Sequence, residues 1–278
     1  MAVVLALLTA AFYGTGDFSG GFASRRTALV SVVLWSHVVG LVGVVLAAPL
    51  LSDQAPVTED LVLGSVGGLF GLAGLVLLYR GLARGPMSVV APLSALSSAT
   101  VPLTYGLLDG ERLSVVAAVG VAIGLVSIVL VSSERRTVDR APVTTLTIGE
   151  ALFAGVGFGM FFVFLDLADD ASAPWPVVSA RICTVTVAAL VAVGVRPAVP
   201  QGVTWWWIAA AGVFDVAANV SFLLATGEGD LTVVSVLASL YPAATVLLAW
   251  LLLREPIGRT QLAGLGLAGL AIVLVGAG

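Results

Sequence analysis

The chain is a succession of apolar runs separated by short polar turns, and the length of those runs constrains the fold more than any other feature. Each run is near or above the roughly 20 residues that a helix needs to cross a bilayer. In lipid the backbone amides must be satisfied without water, so only helices and closed barrels span it. Barrel strands alternate apolar and polar residues, and these runs do not. The expected fold is an all-α integral membrane protein of about ten transmembrane helices. The runs place them at 3–24, 28–49, 61–80, 87–108, 114–132, 147–168, 175–195, 204–225, 231–253 and 259–277. Composition agrees, with 59% apolar and 10% charged residues, against about 25% charged in a soluble domain. The first run lacks a positive leader and a small-residue cleavage site, so it is expected to be a span and not a removed signal peptide.

The two halves of the chain resemble each other. A shift of 144 residues lays 87–131 on 231–275 without a gap. Glu111 then meets Glu255, Gly120 meets Gly264, and Ile128–Val131 meets Ile272–Val275. Phe12–Gly16 falls on Phe153–Gly157 at a slightly different shift. Between the halves lies the most polar stretch, Glu134–Arg140. The expected organisation is a five-helix repeat over 1–132, a polar linker over 133–146 and a second five-helix repeat over 147–278. An odd number of crossings makes the second repeat enter the membrane from the opposite side. Inverted repeats of this kind supply two pseudo-equivalent gates around a midplane site, which is a transporter architecture.

Arginine placement orients the chain. Arg25, Arg26, Arg80, Arg84, Arg196, Arg254, Arg259 and the linker arginines Arg135, Arg136 and Arg140 follow odd-numbered spans, whereas the opposite side holds only Arg112. By the positive-inside rule the Arg-rich loops are cytoplasmic and both termini lie outside.

Four ionisable side chains qualify as candidates for mid-bilayer depth: Asp17, His37, Arg181 and Asp215. Such a group costs roughly 2.5–3.5 kcal/mol at mid-bilayer on insertion scales, so it faces a cavity or a partner. Asn219 lies one helical turn from Asp215 and shares its face. Two readings stand side by side: a buried structural pair of Asp215 with Arg181, or substrate and proton handling by both. Asp17 follows Gly14-Thr-Gly16 near the end of its span, in an interfacial structural or an ion-binding role. His37 suits a proton carrier by its ordinary pKa near 6.5, or packs against a carbonyl. Pro92 and Pro102 on span four and Pro242 on span nine remove backbone donors and can break those helices. With two prolines, span four is expected to be the more deformable. Trp35, Tyr105 and Tyr241 either stack on a flat substrate or belong to ordinary core. Trp205–Trp207 reads as an interfacial anchor.

The turn Leu107–Ser114 (LLDGERLS) resembles the "LGERLS" turn of EamA-type transporters in the drug/metabolite transporter superfamily. Tyr241-Pro242 followed by Glu255, the opening Tyr13-Gly14 and the Ala180-Arg181-Ile182 triplet are similar to further motifs of that family. The first half departs from the pattern, with Trp35 in place of an Arg and Ser98 in place of a Pro. The resemblance covers essentially the whole chain. It implies ten helices, a central cavity, and export or exchange of small amphiphilic solutes such as amino acids, nucleotide-like metabolites or drugs. It also implies cytoplasmic termini, against the arginine count, which we keep.

The function expected is secondary transport, as an exporter of small metabolites or drugs in the cell (inner or plasma) membrane. Its partners are a small-molecule substrate, the lipid bilayer and, as a candidate coupling ion, protons. No cofactor, metal, nucleic acid or enzymatic activity is expected. Cys183 and His37 are each the sole residue of their kind, too few for a cysteine–histidine metal site or a disulfide. Two other classes compete. A channel or receptor could share the odd-numbered repeats. Gly14-Thr-Gly-Asp17 also matches the GxGD signature of intramembrane aspartyl proteases, with Asp215 as a conceivable second carboxylate.

Overall fold

A computed structural model describes residues 1–52, 55–84, 87–133, 144–254 and 256–278, with only the backbone at 79, 82–84 and 87–88. The linker arginines Arg135, Arg136 and Arg140, the Arg84 side chain and Glu255 therefore lie outside the described residues. Regular structure within them is helical throughout: α1 (Ala2–Ser24), α2 (Leu29–Leu51), α3 (Thr58–Arg84), α4 (Met87–Asp109), α5 (Val115–Ser132), α6 (Thr145–Asp166), α7 (Trp175–Val195), α8 (Thr204–Thr226), α9 (Leu231–Ala238), α10 (Tyr241–Leu253) and α11 (Arg259–Ala277). A single 3-10 turn, Asp170–Ser172, precedes α7. Among the described residues, nine segments are long and apolar enough to cross a membrane, with α9 and α10 counted as one crossing over Leu231–Leu253. The remaining long helix, α4, is richer in hydroxyls (Ser94, Ser97, Ser98, Thr100 and Thr104) and falls outside that count. Its 23 residues would still extend about 34 Å at 1.5 Å per residue.

The helix break falls in span nine, at Pro242, and not at Pro92 or Pro102 of span four. Pro242 has no N–H for the Ala238 carbonyl and its ring crowds that carbonyl. So α9 stops at Ala238, Leu240 N–H turns to Leu237 O at 3.1 Å, and Pro242 sits in the first turn of α10. By contrast α4 runs unbroken through Pro92 and Pro102. Neighbouring helices and hydroxyls accommodate such prolines in membrane helices. The carbonyl that Pro102 leaves free, Ser98 O, lies against Gly159 of α6, while the Thr100 and Thr104 hydroxyls bond the nearby Leu96 and Thr100 carbonyls, each at 2.7 Å.

Packing joins one half of the chain to the other. Helix α1 lies against α8, α3 against α6, and α5 against α11. Helix α4 packs on α6 and α9, while α10 packs on α1 and α5; α2 and α7 pack on each other. Glycines set the closest approaches, as small residues do between membrane helices. A Cβ at Gly14 would lie 2.6 Å from Tyr241 O of α10, and one at Gly16 would lie 3.4 Å from Asp215 N of α8. At the corresponding places in α6, Gly155 faces Ser94 and Ser98 of α4, and Gly157 faces Phe70 and Gly74 of α3. Gly120 of α5 meets Val275 of α11, and Gly264 of α11 meets Val131 of α5.

The interior is apolar, built around Phe162, Leu165, Phe222, Leu231 and Leu237. Large apolar side chains such as Leu46, Leu190, Val193, Leu251 and Val273 face outward, as a lipid-facing surface requires. The two ends differ in charge. At one, Ser31 Oγ donates to Ala198 O, and Arg25, Arg26, Arg196, Arg254 and Arg259 gather. At the other, Asp60 accepts from Asp169 N and Ser172 Oγ, among Asp109, Glu111, Asp166 and Asp230. These are the arginine end and the acidic end of the molecule.

Candidate functional site

Halfway along α8 the apolar pattern is interrupted by Asp215 and, one turn on, Asn219. Arg181 reaches Asp215 from α7, Nη2 on Oδ2, so the guanidinium is paired where an idle charge would be costly. Asn219 is fully buried, and both ends of its amide are used. Its Nδ2 donates to Asp215 O at 2.7 Å, and its Oδ1 accepts from Tyr13 OH of α1 at 2.6 Å. The Arg181–Asp215 ion pair and the Asn219–Tyr13 hydrogen bond thus line up across α7, α8 and α1, joined through the Asp215 backbone carbonyl.

Aromatic rings enclose the Tyr13 end. Tyr13 is edge-on to Tyr241, with centroids 6.3 Å apart, and tilted on Phe162 at 5.9 Å. Gly14 and Gly16 let α1 fit between α10 and α8, and Thr245 Oγ1 ties α10 to Gly14 O at 3.2 Å. Asp17 lies one turn beyond Tyr13 on the same face. Its side chain is exposed, it sits within electrostatic reach of Asp215 and Tyr241, and α1 continues past it to Ser24. The Asp215 side chain is itself 34% exposed whereas Arg181 is 7% exposed. The pair is therefore sealed on the arginine side and open on the carboxylate side. Arg181 Nε, His37 Nδ1 and the Ser239 hydroxyl at the helix break are buried without hydrogen-bond partners among the described residues.

The residues anticipated from sequence divide into two sets. Asp215, Asn219, Arg181, Asp17 and Tyr241 come together here, and His37 of α2 stands within reach of the Arg181 charge. Trp35 packs instead edge-on against Trp205, centroids 5.3 Å apart, beside Trp207 and Ile208. Tyr105 lies toward the acidic end, near Asp109 and Asp166. Pro92 and Pro102 are buried inside α4. Tyr13 joins the cluster although only its place in an opening motif marked it. Among the described residues no group of three or more His, Cys, Asp or Glu could hold a metal. Two shallow grooves, of 510 and 440 Å³, are lined mainly by apolar residues between α3 and α6 and between α3 and α7, and neither includes a residue of the cluster.

Comparison with known proteins gives three findings. The profile of the EamA-like transporter family matches residues 1–133 and again 137–277. An uncharacterized protein of Methanocaldococcus jannaschii is 30% identical over 140 residues, covering 47% of this chain and 96% of that relative. A solved crystal structure superposes with a TM-score of 0.82 over 99% of this chain and 98% of the other, at 18% identity, a likeness of fold.

Proposed function

The chain belongs to the EamA-like transporter family of the drug/metabolite transporter superfamily, and we propose from that premise that it exports small metabolites or drugs by alternating access. The observation that carries the reading is the Arg181–Asp215 ion pair in line with Asn219 and Tyr13, a polar track with accessible carboxylates inside an otherwise apolar bundle. Polar groups at this depth mark substrate or ion pathways. Asp17 and Asp215 offer acceptors for a cationic or hydroxyl group and for a coupling proton, and Tyr13 and Tyr241 offer aromatic faces.

Two inverted repeats, 1–132 and 147–278 around the linker 133–146, are the framework. The reciprocal contacts support it: Gly120 on Val275 mirrors Gly264 on Val131, and Gly14 and Gly16 mirror Gly155 and Gly157. So does an archaeal relative whose nearly whole length matches about half of this chain. In this framework α4 is the tenth crossing, equivalent to α9 and α10 together. The arginine end faces the cytoplasm and both termini lie outside, in the cell membrane. A GxGD protease needs its two carboxylates to share a proton; pairing of Asp215 with Arg181 favours transport instead.

Reconstituted protein should move one class among amino acids, nucleosides and cationic drugs, with a rate that depends on a pH gradient. Asp215→Asn should lower that flux or remove its pH dependence while the protein remains folded. Equal, equally pH-dependent flux in the variant would take Asp215 out of the pathway.

A further inference from the structure

We propose that Glu111 is the latch that keeps the acidic end of the transport pathway shut, by clasping the free N-terminus of the half-helix α9. This rests on the alternating-access reading above.

Glu111 lies in the turn between α4 and α5. Its Oε1 accepts from Leu231 N at 2.6 Å and its Oε2 from Thr232 N at 2.9 Å. The first N–H groups of a helix have no partner within it. Their usual partner is the N-cap side chain, but Asp230, the N-cap of α9, makes no such bond. A carboxylate 120 residues away in sequence takes its place, with charge-assisted bonds and a favourable position on the helix dipole. Gly106 makes room: a Cβ there would lie 2.7 Å from both Glu111 Cδ and Thr232 Oγ1. The hydroxyl of Thr232 also reaches back to Leu103 O of α4 at 3.4 Å.

Three features make this clasp a latch and not a simple cap. First, α9 has only eight residues and is severed from α10 before Tyr241, so it can swing as a unit. Second, the clasp joins the first half of the chain to the second at one end of the molecule. Third, burial changes at the break. Seven of the eight α9 residues are fully buried, whereas α10 has none that are. Helices α1 and α5 pack on both α9 and α10, whereas α4 packs against α9 only. Spans four and nine are thus tightly joined beside Glu111 and looser beyond the break.

The test reads accessibility and needs no substrate, so a chain that carries nothing would fail the flux assay above without deciding this one. In a Cys183→Ala background, place one cysteine at Ser235 of α9 or at Thr245 of α10, and measure reaction with a water-soluble maleimide in lipid nanodiscs. Glu111→Gln should speed labelling at 235 by about tenfold, the scale of losing a charge-assisted bond, without speeding labelling at 245. Glu111→Asp should stay close to the parent. Gly106→Ala, which favours the helix but pushes the carboxylate off its seat, should act as Glu111→Gln does and decides the matter if that variant does not fold. Unchanged labelling at 235, or faster labelling at both positions together, would overturn the latch.

Discussion

The contact of α1 with α8 and the contact of α6 with α3 are built on the same backbone plan and carry opposite chemistry. Each uses a glycine pair, Gly14 and Gly16 in one and Gly155 and Gly157 in the other. Where Gly157 meets Gly74, Gly16 meets Asp215. Where α1 presents Tyr13 and Asp17, the same offsets from the glycines in α6 give Ala154 and Phe158. The first contact is a polar site; the second is a dry seam in which Phe161 and Phe164 fill against glycines of α3. The neighbouring spans follow suit. One turn past Gly155, α6 offers Gly159, which seats Val101 and the Ser98 carbonyl of α4. At that position α1 has Phe18, so α10 is held through Gly14 and not by a second close contact of this kind.

The largest expected effect tests the seam against the site. Gly157→Ala would drive a Cβ to 2.7 Å from Phe70 O and 2.9 Å from the Gly74 backbone, with no flexible side chain to yield. It should cost about 3 kcal/mol. Gly16→Ala meets nothing nearer than 3.4 Å and gains helix propensity, so it should stay within about 1 kcal/mol of the parent. Unfolding midpoints in micelles measure both, and equal losses would erase the distinction. Next in size is the ion pair. Asp215→Leu strands a buried guanidinium at about 2 kcal/mol, below the usual range for a buried pair because Asp215 is partly exposed. Adding Arg181→Met should restore more than half of that stability, since replacing both partners by apolar groups is often nearly neutral. No recovery in the double variant would mean that the site has structural ties beyond the pair. Smallest is Tyr13→Phe, which leaves Asn219 Oδ1 buried without its donor for about 1 kcal/mol. A neutral result would reduce the difference between the two contacts to the ion pair alone.

Helix positions were legible because lipid imposes one length on every crossing. Spans seven and ten match the structure end for end, at Trp175–Val195 and Arg259–Ala277. Arg181 and Asp215 stood out because an ionisable side chain inside an apolar run demands a partner. Pro242 was legible as a helix breaker, but the continuity of α4 through Pro92 and Pro102 was not, because the contacts along it, such as Gly159 against Val101 and Ser98 O, come from another helix. Tyr13 gave no polar signal because its ring is as much at home in an apolar core as its hydroxyl is in a network. Glu111 was visible as a repeated letter in two turns, but its task lies with Leu231 and Thr232, far along the chain.

The reciprocal packing of α5 and α11 has a consequence for how the molecule is made. Chains emerge from the ribosome N-terminal part first and generally fold as they appear. Yet the main face of α5 is covered by α11, through Gly120 on Val275 and Gly264 on Val131. The fifth helix must therefore wait in the bilayer, its glycine seam facing lipid or a temporary neighbour, while the whole second half is synthesised. Neither half is finished before the other, and removing α11 would strip the first repeat of its outer wall as surely as the second.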